Sequence, residues 1–330
     1  MERERRIRLG ISSCLLGERV RYDGGHKRDP FLAEVLGRYV EWVPVCPESE
    51  LGLGVPREAS RLERKDRTIH FVGIESRRDH TQHFRRWGDR RAAALALEGL
   101  SGYVWKSGSP SCGMLGVPVH ELDGALQLSG KHSGKHRGKH SGRGLFVSMV
   151  AAAMPNLPLE EESRLREPER REHFVERVCA YHRLRSLFRG RWNRGKVVEF
   201  HRRNELSLML HSARGARKLD KLVASIADLP RPAFRQQYET IFMSALGRFA
   251  SKNRRLRFLE HLDCRLASHL DPYSRDELRS AIEGFRGGQA RWIRAMGLIG
   301  GHARRLDLAG LGGQDYFQPH PLEAMLRAQL

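Results

Sequence analysis

The chain has 330 residues, enough for one large domain or two, and 40% of them are hydrophobic, which is sufficient for packed cores. Lysine and arginine total 59 against 39 aspartate and glutamate, so the formal net charge is +20. No stretch approaches the ~20 apolar residues that a membrane-spanning helix needs, and the first apolar run is too short for a signal peptide, so we expect a cytoplasmic protein without a membrane partner.

The excess of positive charge is spread over both halves of the chain rather than confined to a tail. A polyanionic partner is the natural inference, because neutralising phosphates releases counterions. The alternative is that the charge serves solubility in an arginine-rich chain.

The first half of the chain alternates between predicted strands and helices. The predicted strands are Arg8–Ser13, Tyr39–Val45, Thr68–Ile74 and Gly102–Ser107, and the predicted helices between them are Pro30–Gly37 and Asp79–Leu97. Asp79 is the expected N-cap of the longer helix. This alternation predicts an α/β domain with a Rossmann-like, mostly parallel sheet.

A low-complexity run of glycine, serine, lysine and histidine occupies residues 129–144. It cannot form a core, so we predict a loop. His132, His136 and His140 recur at four-residue spacing, which raises the hypothesis of a metal site. The interleaved glycines disfavour the helix that such a site would need. A basic loop near phosphate, or an inert insertion, explains the run better. A helix is predicted at Leu145–Met154, directly after Gly142-Arg143-Gly144. The two glycines indicate either a simple tight turn or an anion site formed by the free N–H groups of the helix start.

After Pro155 apolar residues recur at intervals of three and four, which predicts an all-α second half. The predicted helices are Glu169–Phe188, Gly195–Leu210, Ala213–Ala227, Pro232–Ser251, Leu256–Leu270, Ser274–Arg286 and Ala290–Ile299. We therefore expect two domains, residues 1–154 and residues 155–330, with a junction near Asn156–Leu165.

The five cysteines are an odd number in a long chain, so we expect no disulfide partner. Cys179 and Cys264 lie in amphipathic helical stretches and are expected to be small buried hydrophobic residues. Cys14, Cys46 and Cys112 each follow a predicted strand. If these strands are parallel neighbours, their ends converge at the edge where open α/β sheets bind ligands. Three thiols gathered there can hold an iron–sulfur cluster and leave one iron without a protein ligand. A Cys–His–Asp nucleophile is the rival use of one thiol, but it does not explain three cysteines in the same setting.

Polar residues accompany these cysteines. Glu48 lies two residues after Cys46, where its carboxylate can shuttle a proton, and Ser111 adjoins Cys112, where its hydroxyl can assist a substrate. Their structural alternatives are a solvated loop carboxylate and a turn cap. Tyr22 and Asp23 belong to a Tyr-Asp-Gly-Gly loop that we expect to border the site and contact substrate.

Basic residues are concentrated in the helical half. Residues 181–218 contain eleven lysines and arginines and two acidic residues, with Phe188, Trp192 and Phe200 among them. Such a mixture suits RNA, where phosphates pair and bases stack, although amphipathic helices with solvated arginines and core aromatics are the alternative. The predicted RNA-binding residues are Arg183, Arg185, Arg202, Arg203, Lys252, Arg254 and Arg255.

Several ordered motifs are similar to a known family. The first half resembles the thiouracil desulfidase family in Ser13-Cys14-Leu15-Leu16-Gly17, Tyr22-Asp23-Gly24-Gly25, Cys46-Pro47-Glu48, Gly52-Leu53-Gly54-Val55-Pro56-Arg57-Glu58 and Lys106-Ser107-Gly108-Ser109-Pro110-Ser111-Cys112-Gly113. The later half resembles the YbgA-type domain that is often fused to it, in Leu157-Pro158-Leu159-Glu160-Glu161-Glu162, Arg164-Leu165, Phe174, Tyr181-His182-Arg183 and His211-Ser212.

The resemblance implies a 4Fe–4S cluster held by Cys14, Cys46 and Cys112, with Glu48 as the acid–base group and Ser111 as an assisting residue. It implies a desulfidase that converts 4-thiouridine in tRNA to uridine with release of sulfide. A desulfidase of free thiouracil, or a non-catalytic cluster-bearing RNA-binding protein, are the alternatives. The chain departs from the family in its longer, more repetitive histidine-rich loop and in the segment Phe200–Glu205, where the family usually has a more basic pair.

Overall fold

The computed structural model of the protein describes residues 6–121, 139–306, 308 and 310–329. The chain divides into two compact units, whose boundary in the sequence lies between Phe174 and Val175. Within the described ranges, no helix is both long enough and apolar enough to cross a membrane.

The first unit contains strands and a few helices. The described strands are β1 (Ile7–Ser12), β2 (Val40–Val45), β3 (Ser60–Lys65), β4 (Thr68–Gly73), β5 (Gly102–Trp105), β6 (Val117–Glu121), β7 (Lys139–Gly142) and β8 (Leu159–Glu161). The described α-helices are α1 (Pro47–Glu50), α2 (Thr81–Leu97) and α3 (Leu145–Ala153).

The central sheet has the strand order β2-β1-β5-β8, and every neighbouring pair in it is parallel. The chain moves from β1 to β2 on one side and later returns to β5 on the other. The strand order therefore reverses between β1 and β5, which is the switch point where open α/β sheets bind ligands. The α/β prediction for the first half is confirmed.

The core of this sheet is aromatic. The rings of Tyr103 and Trp105 stack at a centroid distance of 3.6 Å, and both side chains are fully buried. A Cβ atom at Gly10 would lie 2.1 Å from the ring of Tyr103, so only glycine allows β1 to pass this ring. Phe146 of α3 contacts Trp105 edge-on, which attaches the helix layer to the sheet.

A second sheet, absent from the sequence prediction except for its strand β4, has the order β4-β3-β6-β7. Strands β3 and β6 are parallel, whereas β4 and β7 pair antiparallel at the two edges. Strand β7 corrects the prediction of a loop across residues 129–144, because its four residues pair with β6. His132 and His136 lie outside the described residues, so the hypothesis of a three-histidine metal site stays a prediction.

The boundary regions of two predicted helices differ from expectation. The Asp79 carboxylate accepts a hydrogen bond from the Thr81 backbone N–H at 2.8 Å, so it stabilises the start of α2 as predicted, although it lies one residue before the cap position. The helix predicted at Pro30–Gly37 is instead a pair of short irregular helical turns, Phe31–Val35 and Leu36–Arg38.

The second unit is helical, as predicted. Its described helices are α4 (Pro168–Phe188), which begins in the first unit, α5 (Arg194–Arg203), α6 (Glu205–Ala224), α7 (Arg231–Leu246), α8 (Lys252–Leu266), α9 (Pro272–Arg286), α10 (Trp292–Arg305) and α11 (Pro321–Gln329). Strand β8 was not expected after Pro155, and it forms because its backbone pairs with β5. The predicted domain boundary between residues 154 and 155 stays a prediction.

Helix α6 contains a kink at Ser212, whose backbone is extended (φ −161°, ψ 90°). The Ser212 hydroxyl oxygen accepts a hydrogen bond from the Gly215 N–H at 3.0 Å, so this residue acts as an N-cap for the second half of the helix. The sequence prediction of two helices separated near residues 211–212 is consistent with this kink.

Candidate active site

Cys14, Cys46 and Cys112 follow three adjacent strands. Cys14 comes directly after β1 in a short helical turn, Cys46 follows β2 at the start of α1, and Cys112 follows β5 in the next loop. Because β2, β1 and β5 are parallel neighbours, their carboxyl ends lie at the same edge of the sheet. The expectation that these strands are parallel neighbours is confirmed.

The three cysteines line one cavity of about 380 Å³, which we call the thiol cavity. Its other polar lining includes Ser12, Ser13, Arg21, Tyr22, Lys27, Glu48, Arg57, Lys106, Ser109 and Ser111. All five cysteines of the chain are free thiols, and the remaining two, Cys179 and Cys264, lie on helices α4 and α8. Cys179 is buried as expected, whereas the expectation of burial is wrong for Cys264, which is exposed.

Burial controls the ionisation of two of these thiols. Burial raises the pKa of Cys14 to about 11, and the nearby Cys46 acts in the same direction. Burial also raises the pKa of Cys112 above its ordinary value, although hydrogen bonds with Ser111 and Ser12 oppose this. Both groups are therefore neutral thiols at neutral pH in the protein alone, and a bound cation is needed to stabilise them as thiolate ligands.

Glu48 joins the Ser111 hydroxyl to a buried arginine. Ser111 Oγ donates a hydrogen bond to Glu48 Oε1 at 2.7 Å. The other carboxylate oxygen, Oε2, accepts from Arg57 Nε at 3.0 Å and lies 2.9 Å from Arg57 Nη2. Only 6% of the Arg57 side chain and 12% of the Glu48 side chain are exposed, so solvent screens this pair weakly.

Arg57 is itself held by backbone oxygens. Its Nη2 donates to the Val20 carbonyl at 3.0 Å, and its Nη1 donates to the Gly54 carbonyl at 2.8 Å. With its guanidinium fixed, the Glu48 carboxylate is oriented with one oxygen toward Ser111. The site therefore contains a positioned acceptor next to a hydroxyl that adjoins a thiol.

The loop that bears Cys112 packs against the beginning of α3. The N–H groups of Leu145 and Phe146 donate to the carbonyls of Pro110 and Ser111, both at 3.1 Å. A Cβ atom at Gly144 would lie 2.6 Å from the Ser111 carbonyl oxygen, so the close approach requires glycine. Two N–H groups of this helix start therefore already bind carbonyls of the loop, which argues against the alternative that they form an anion site.

Two carboxylates of the segment around β8 hold the ends of the same loop. Glu162 accepts hydrogen bonds from Lys106 Nζ at 2.5 Å, from Ser107 Oγ at 2.8 Å and from the Ser107 N–H at 2.7 Å. Glu161 Oε1 accepts from the N–H groups of Met114 at 2.6 Å and Leu115 at 3.1 Å. Both glutamates are buried, so residues 106–115 are fixed before and after Cys112.

Tyr22 and Asp23, the predicted substrate-binding pair, occupy different surroundings. Tyr22 lines the thiol cavity and is 44% exposed. Asp23 is outside the lining, and its carboxylate accepts from the Gly25 N–H at 3.0 Å, a bond that lowers the pKa of this carboxyl. Contact of either residue with substrate stays a prediction.

Three of the predicted RNA-binding arginines are engaged inside the helical unit. Arg183 Nε lies 3.1 Å from Asp315, and Arg203 Nη2 lies 2.7 Å from the same carboxylate. Arg255 is 3% exposed, and its guanidinium lies 4.7 Å from the ring centre of Trp292. The structure thus gives these three side chains contacts within the protein, and their RNA contacts stay predictions.

The other four predicted RNA-binding residues, of which Arg202 and Lys252 are exposed, also have partners. Arg202 pairs with the exposed Glu199 at 2.9 Å. Arg254 and Lys252 donate to the backbone carbonyls of His211 and Arg286 at 2.6 and 3.0 Å, and Arg185 lies over the ring of Tyr181.

The aromatic residues of the same region belong to a hydrophobic core. Phe188 is 2% exposed and lies in a cluster around Phe234 and Tyr238. Trp192 and Phe200 pack against this cluster. The alternative of core aromatics is therefore correct for these three residues.

Four site residues carried no predicted role: Arg57, Lys106, Glu161 and Glu162. All four lie within motifs that support the family resemblance. Glu161 and Glu162 were assigned to the helical half, whereas their carboxylates hold the Cys112 loop of the first unit. The available signal was the order of the short motifs along the chain rather than any local pattern, because no periodicity connects residues 57 and 48 or 162 and 107.

Comparisons with known proteins match the two parts of the chain to two different families. Residues 9–162 match the model of the 2-thiouracil desulfurase family, and residues 206–321 match a family described as a protein of unknown function, DUF1722. The first match includes Leu157–Glu162, a segment that is predicted from its motif to belong with the second half.

An uncharacterized protein of Escherichia coli strain K12, YbgA, is 27% identical over 152 residues, which are 46% of this chain and 90% of that protein. A solved structure of the 4Fe–4S-dependent thiouracil desulfidase TudS is 28% identical and covers 49% of this chain and 94% of that chain, with a TM-score of 0.37. Residues 9–162 are therefore similar to the 2-thiouracil desulfurase family, and residues 206–321 to the DUF1722 family.

Proposed function

We propose that this protein is an iron–sulfur-cluster-dependent desulfidase that converts 4-thiouridine in tRNA to uridine. The observation that carries the proposal is the thiol cavity, where cysteines from three adjacent parallel strands surround a hydrogen-bonded Glu48–Ser111 pair. The match of residues 9–162 to the model of the 2-thiouracil desulfurase family supports it.

The three thiols that line the cavity are ligands of the kind that an iron–sulfur cluster takes. Among the described residues, no group of three or more histidine, cysteine, aspartate or glutamate side chains is arranged to hold one metal ion. In a 4Fe–4S cluster each thiolate binds a different iron, so its ligands are not required to converge on one point. Three ligands, Cys14, Cys46 and Cys112, would leave the fourth iron without a protein ligand.

When bound, such a cluster supplies an open, thiophilic iron that distinguishes a thiocarbonyl from a carbonyl. The net reaction exchanges the C=S sulfur for the oxygen of water and releases hydrogen sulfide. Since neither carbon nor sulfur changes oxidation state, no nicotinamide or flavin is required. We assign to Glu48 Oε1 the role of taking a proton from the incoming water or from Ser111 Oγ and returning it to the departing sulfide, and its hydrogen bond with Ser111 Oγ supports this role.

The neighbouring groups orient this acid–base pair. Arg57 holds Glu48 Oε2, so Oε1 stays directed at Ser111. Glu161 and Glu162 hold the loop that carries Ser111, so the hydroxyl keeps its place beside Cys112. An acid–base group positioned in this way favours an enzyme over a non-catalytic cluster protein that only senses iron or oxygen.

The charge of the chain supports RNA as the substrate. A small uncharged base gives no reason for a net charge of +20, whereas tRNA does. A thionated base inside folded tRNA must leave its stack to enter a cavity, so local unstacking or flipping accompanies binding. Free thiouracil is the second candidate, because a cavity of about 380 Å³ suits a single base.

One experiment tests the proposal. Anaerobically reconstituted protein is incubated with thiolated tRNA and separately with free thiouracil, while the near-ultraviolet absorbance of the thiocarbonyl and the released sulfide are measured. We expect turnover of tRNA to exceed that of thiouracil. Turnover of thiouracil alone would leave a small-molecule desulfidase, and turnover of neither would contradict the enzyme assignment.

Iron content provides the matching test of the ligands. We expect the wild-type protein to be brown and Cys112→Ala to lose both colour and iron. Cys264→Ala is the matched control, since this exposed thiol lies on α8 in the other unit, and it should keep the wild-type iron content. Wild-type protein that takes up no iron would rule out the proposed cofactor.

A further inference from the structure

The second half of α6 presents four basic side chains on one face. Arg214, Arg217, Lys218 and Lys221 are all exposed and lie at positions i, i+3, i+4 and i+7, which fall within an arc of about 100° on a helix. The opposite face is buried against the core of the unit. We call these four residues the α6 stripe.

The stripe differs from several other charged helix surfaces of the protein. No acidic side chain in the described part of the chain pairs with any of its four members. Three exposed arginines on other helices, by contrast, have carboxylate partners three or four residues away, in the pairs Arg202–Glu199, Arg235–Glu239 and Arg286–Glu283. Asp220 lies beside the stripe, but its carboxylate is bonded to His201 at 2.9 Å.

The stripe opposes the stability of its own helix. Like charges three and four residues apart repel each other, and the four residues form four such pairs. Arg214 also lies in the first turn after the Ser212 cap, where the helix dipole disfavours a cation. A charge pattern that destabilises the helix and has no acidic partner among the described residues indicates a partner outside the protein.

The pattern fits a regular array of negative charges. Residues 214 to 221 span roughly 10 Å of helix, and a nucleic-acid duplex carries a phosphate charge about every 1.7 Å along its axis. Single-stranded RNA is normally held by stacking on aromatic rings. The aromatics of this basic region, Phe188, Trp192 and Phe200, pack in or against the core instead.

We propose that the α6 stripe binds the phosphate backbone of a base-paired RNA stem, without reading its sequence. The inference rests on the proposed function, in which tRNA is the substrate, and it assigns the contact to residues outside the set predicted from the sequence. Double-stranded RNA is recognised largely through its shape and phosphates, which a row of flexible cations can contact.

The test compares two variants of the full reconstituted chain with equal net charge. The stripe variant carries Arg214→Gln, Arg217→Gln, Lys218→Gln and Lys221→Gln. The control carries Arg170→Gln, Arg235→Gln, Arg279→Gln and Arg286→Gln, which removes four arginines that pair with carboxylates. Binding of an unmodified tRNA transcript and of a single-stranded oligonucleotide is measured over a range of salt concentrations.

We expect the stripe variant to bind the tRNA transcript at least tenfold more weakly at low salt, with the slope of log K against log salt reduced by about 3 to 4. The control should change Kd less than threefold. Because the substitutions remove repulsion, the thermal midpoint of the stripe variant should equal or exceed that of the wild type, which excludes misfolding as the cause.

The outcomes separate this inference from the proposed function. If the wild type turns over thiolated tRNA but the stripe variant binds RNA like the control, the inference alone is wrong. An equal loss for single-stranded RNA would overturn the assignment to a stem, and stronger wild-type binding to polyglutamate than to tRNA would overturn the assignment to RNA. If the wild type acts only on free thiouracil and binds no tRNA, both proposals fail.

Discussion

At the scale of single residues, the two oxygens of Glu48 have different partners. One oxygen faces the buried guanidinium of Arg57, and the other accepts a hydrogen bond from the Ser111 hydroxyl. The carboxylate is therefore held as an acceptor at one oxygen while its charge is offset at the other. This division allows one side chain to remain fixed and still exchange a proton.

Substitution of Glu48 by glutamine separates these two roles. Glu48→Gln keeps a carbonyl acceptor for Ser111 but leaves the Arg57 charge without its partner. We expect turnover to fall by roughly a hundredfold to ten-thousandfold, as for loss of an acid–base group. The free energy of unfolding should fall by roughly 1 to 3 kcal/mol, because a buried hydrogen-bonded charge loses its partner.

The measurements are initial rates and urea denaturation, with iron content as a check. Ser111→Ala is the matched control for stability, since it leaves the Glu48–Arg57 pair intact and should unfold almost like the wild type. Wild-type rates in Glu48→Gln would remove this residue from the mechanism.

Glu48 and Ser111 were identifiable from the sequence because each lies beside a cysteine. Arg57 was not, because the segment between it and Glu48 has no helical or strand periodicity and includes the positive φ angles of Gly52 and Gly54. Only the folded turn places the guanidinium next to the carboxylate. The cavity lining was therefore predictable next to the cysteines and unpredictable across the loops.

At the scale of elements, the short strand β8 fixes a loop from another part of the chain. Its segment supplies Glu161 and Glu162, which bind both ends of residues 106–115. A carboxylate that accepts several bonds in a buried setting fixes the donors around it. The position of Cys112 thus depends on an element nearly fifty residues later.

Glu162→Gln tests this dependence. Glutamine has one acceptor oxygen, so it cannot accept from the Ser107 N–H and also from Lys106 and the Ser107 hydroxyl on the other side. We expect stability to fall by about 1 to 3 kcal/mol. We also expect faster hydrogen exchange in residues 106–113 and faster loss of iron to a chelator.

Glu160→Gln is the matched control, because Glu160 lies two residues earlier in the same segment but pairs with Arg164. It should leave exchange in residues 106–113 unchanged. Equal exchange rates in both variants would show that Glu162 does not hold the loop.

The strands that the sequence predicted are those with strong apolar character, such as β1, β2 and β5. The missed strands have weak patterns of their own. Strand β3 is mostly charged, β6 contains Pro118, β7 lies in a glycine-rich run and β8 has three residues. Their strand conformation comes from pairing with neighbours, which a local pattern does not encode.

At the scale of the whole molecule, the net charge of +20 separates the two candidate substrates. Attraction to a polyanion weakens with salt, whereas binding of an uncharged base does not. We expect kcat/KM for thiolated tRNA to fall roughly a hundredfold between 50 and 200 mM salt if about four phosphates are contacted.

The measurement is the salt dependence of initial rates for thiolated tRNA and free thiouracil with the same enzyme preparation. The thiouracil series is the internal control, and its rates should stay nearly constant. A flat dependence for tRNA would show that charge does not guide this substrate.

The position of the three cysteines also determines the order in which the molecule matures. They are separated by 31 and 65 residues in the chain and approach one another only when β2, β1 and β5 have paired in parallel. Parallel pairing over such separations is a late event in folding, because loop closure precedes any gain from contacts. A small zinc finger needs its metal in order to fold. Here we expect the sheet to form first, so that the cofactor enters a finished scaffold and a cell short of iron accumulates folded, colourless protein that is ready to be loaded.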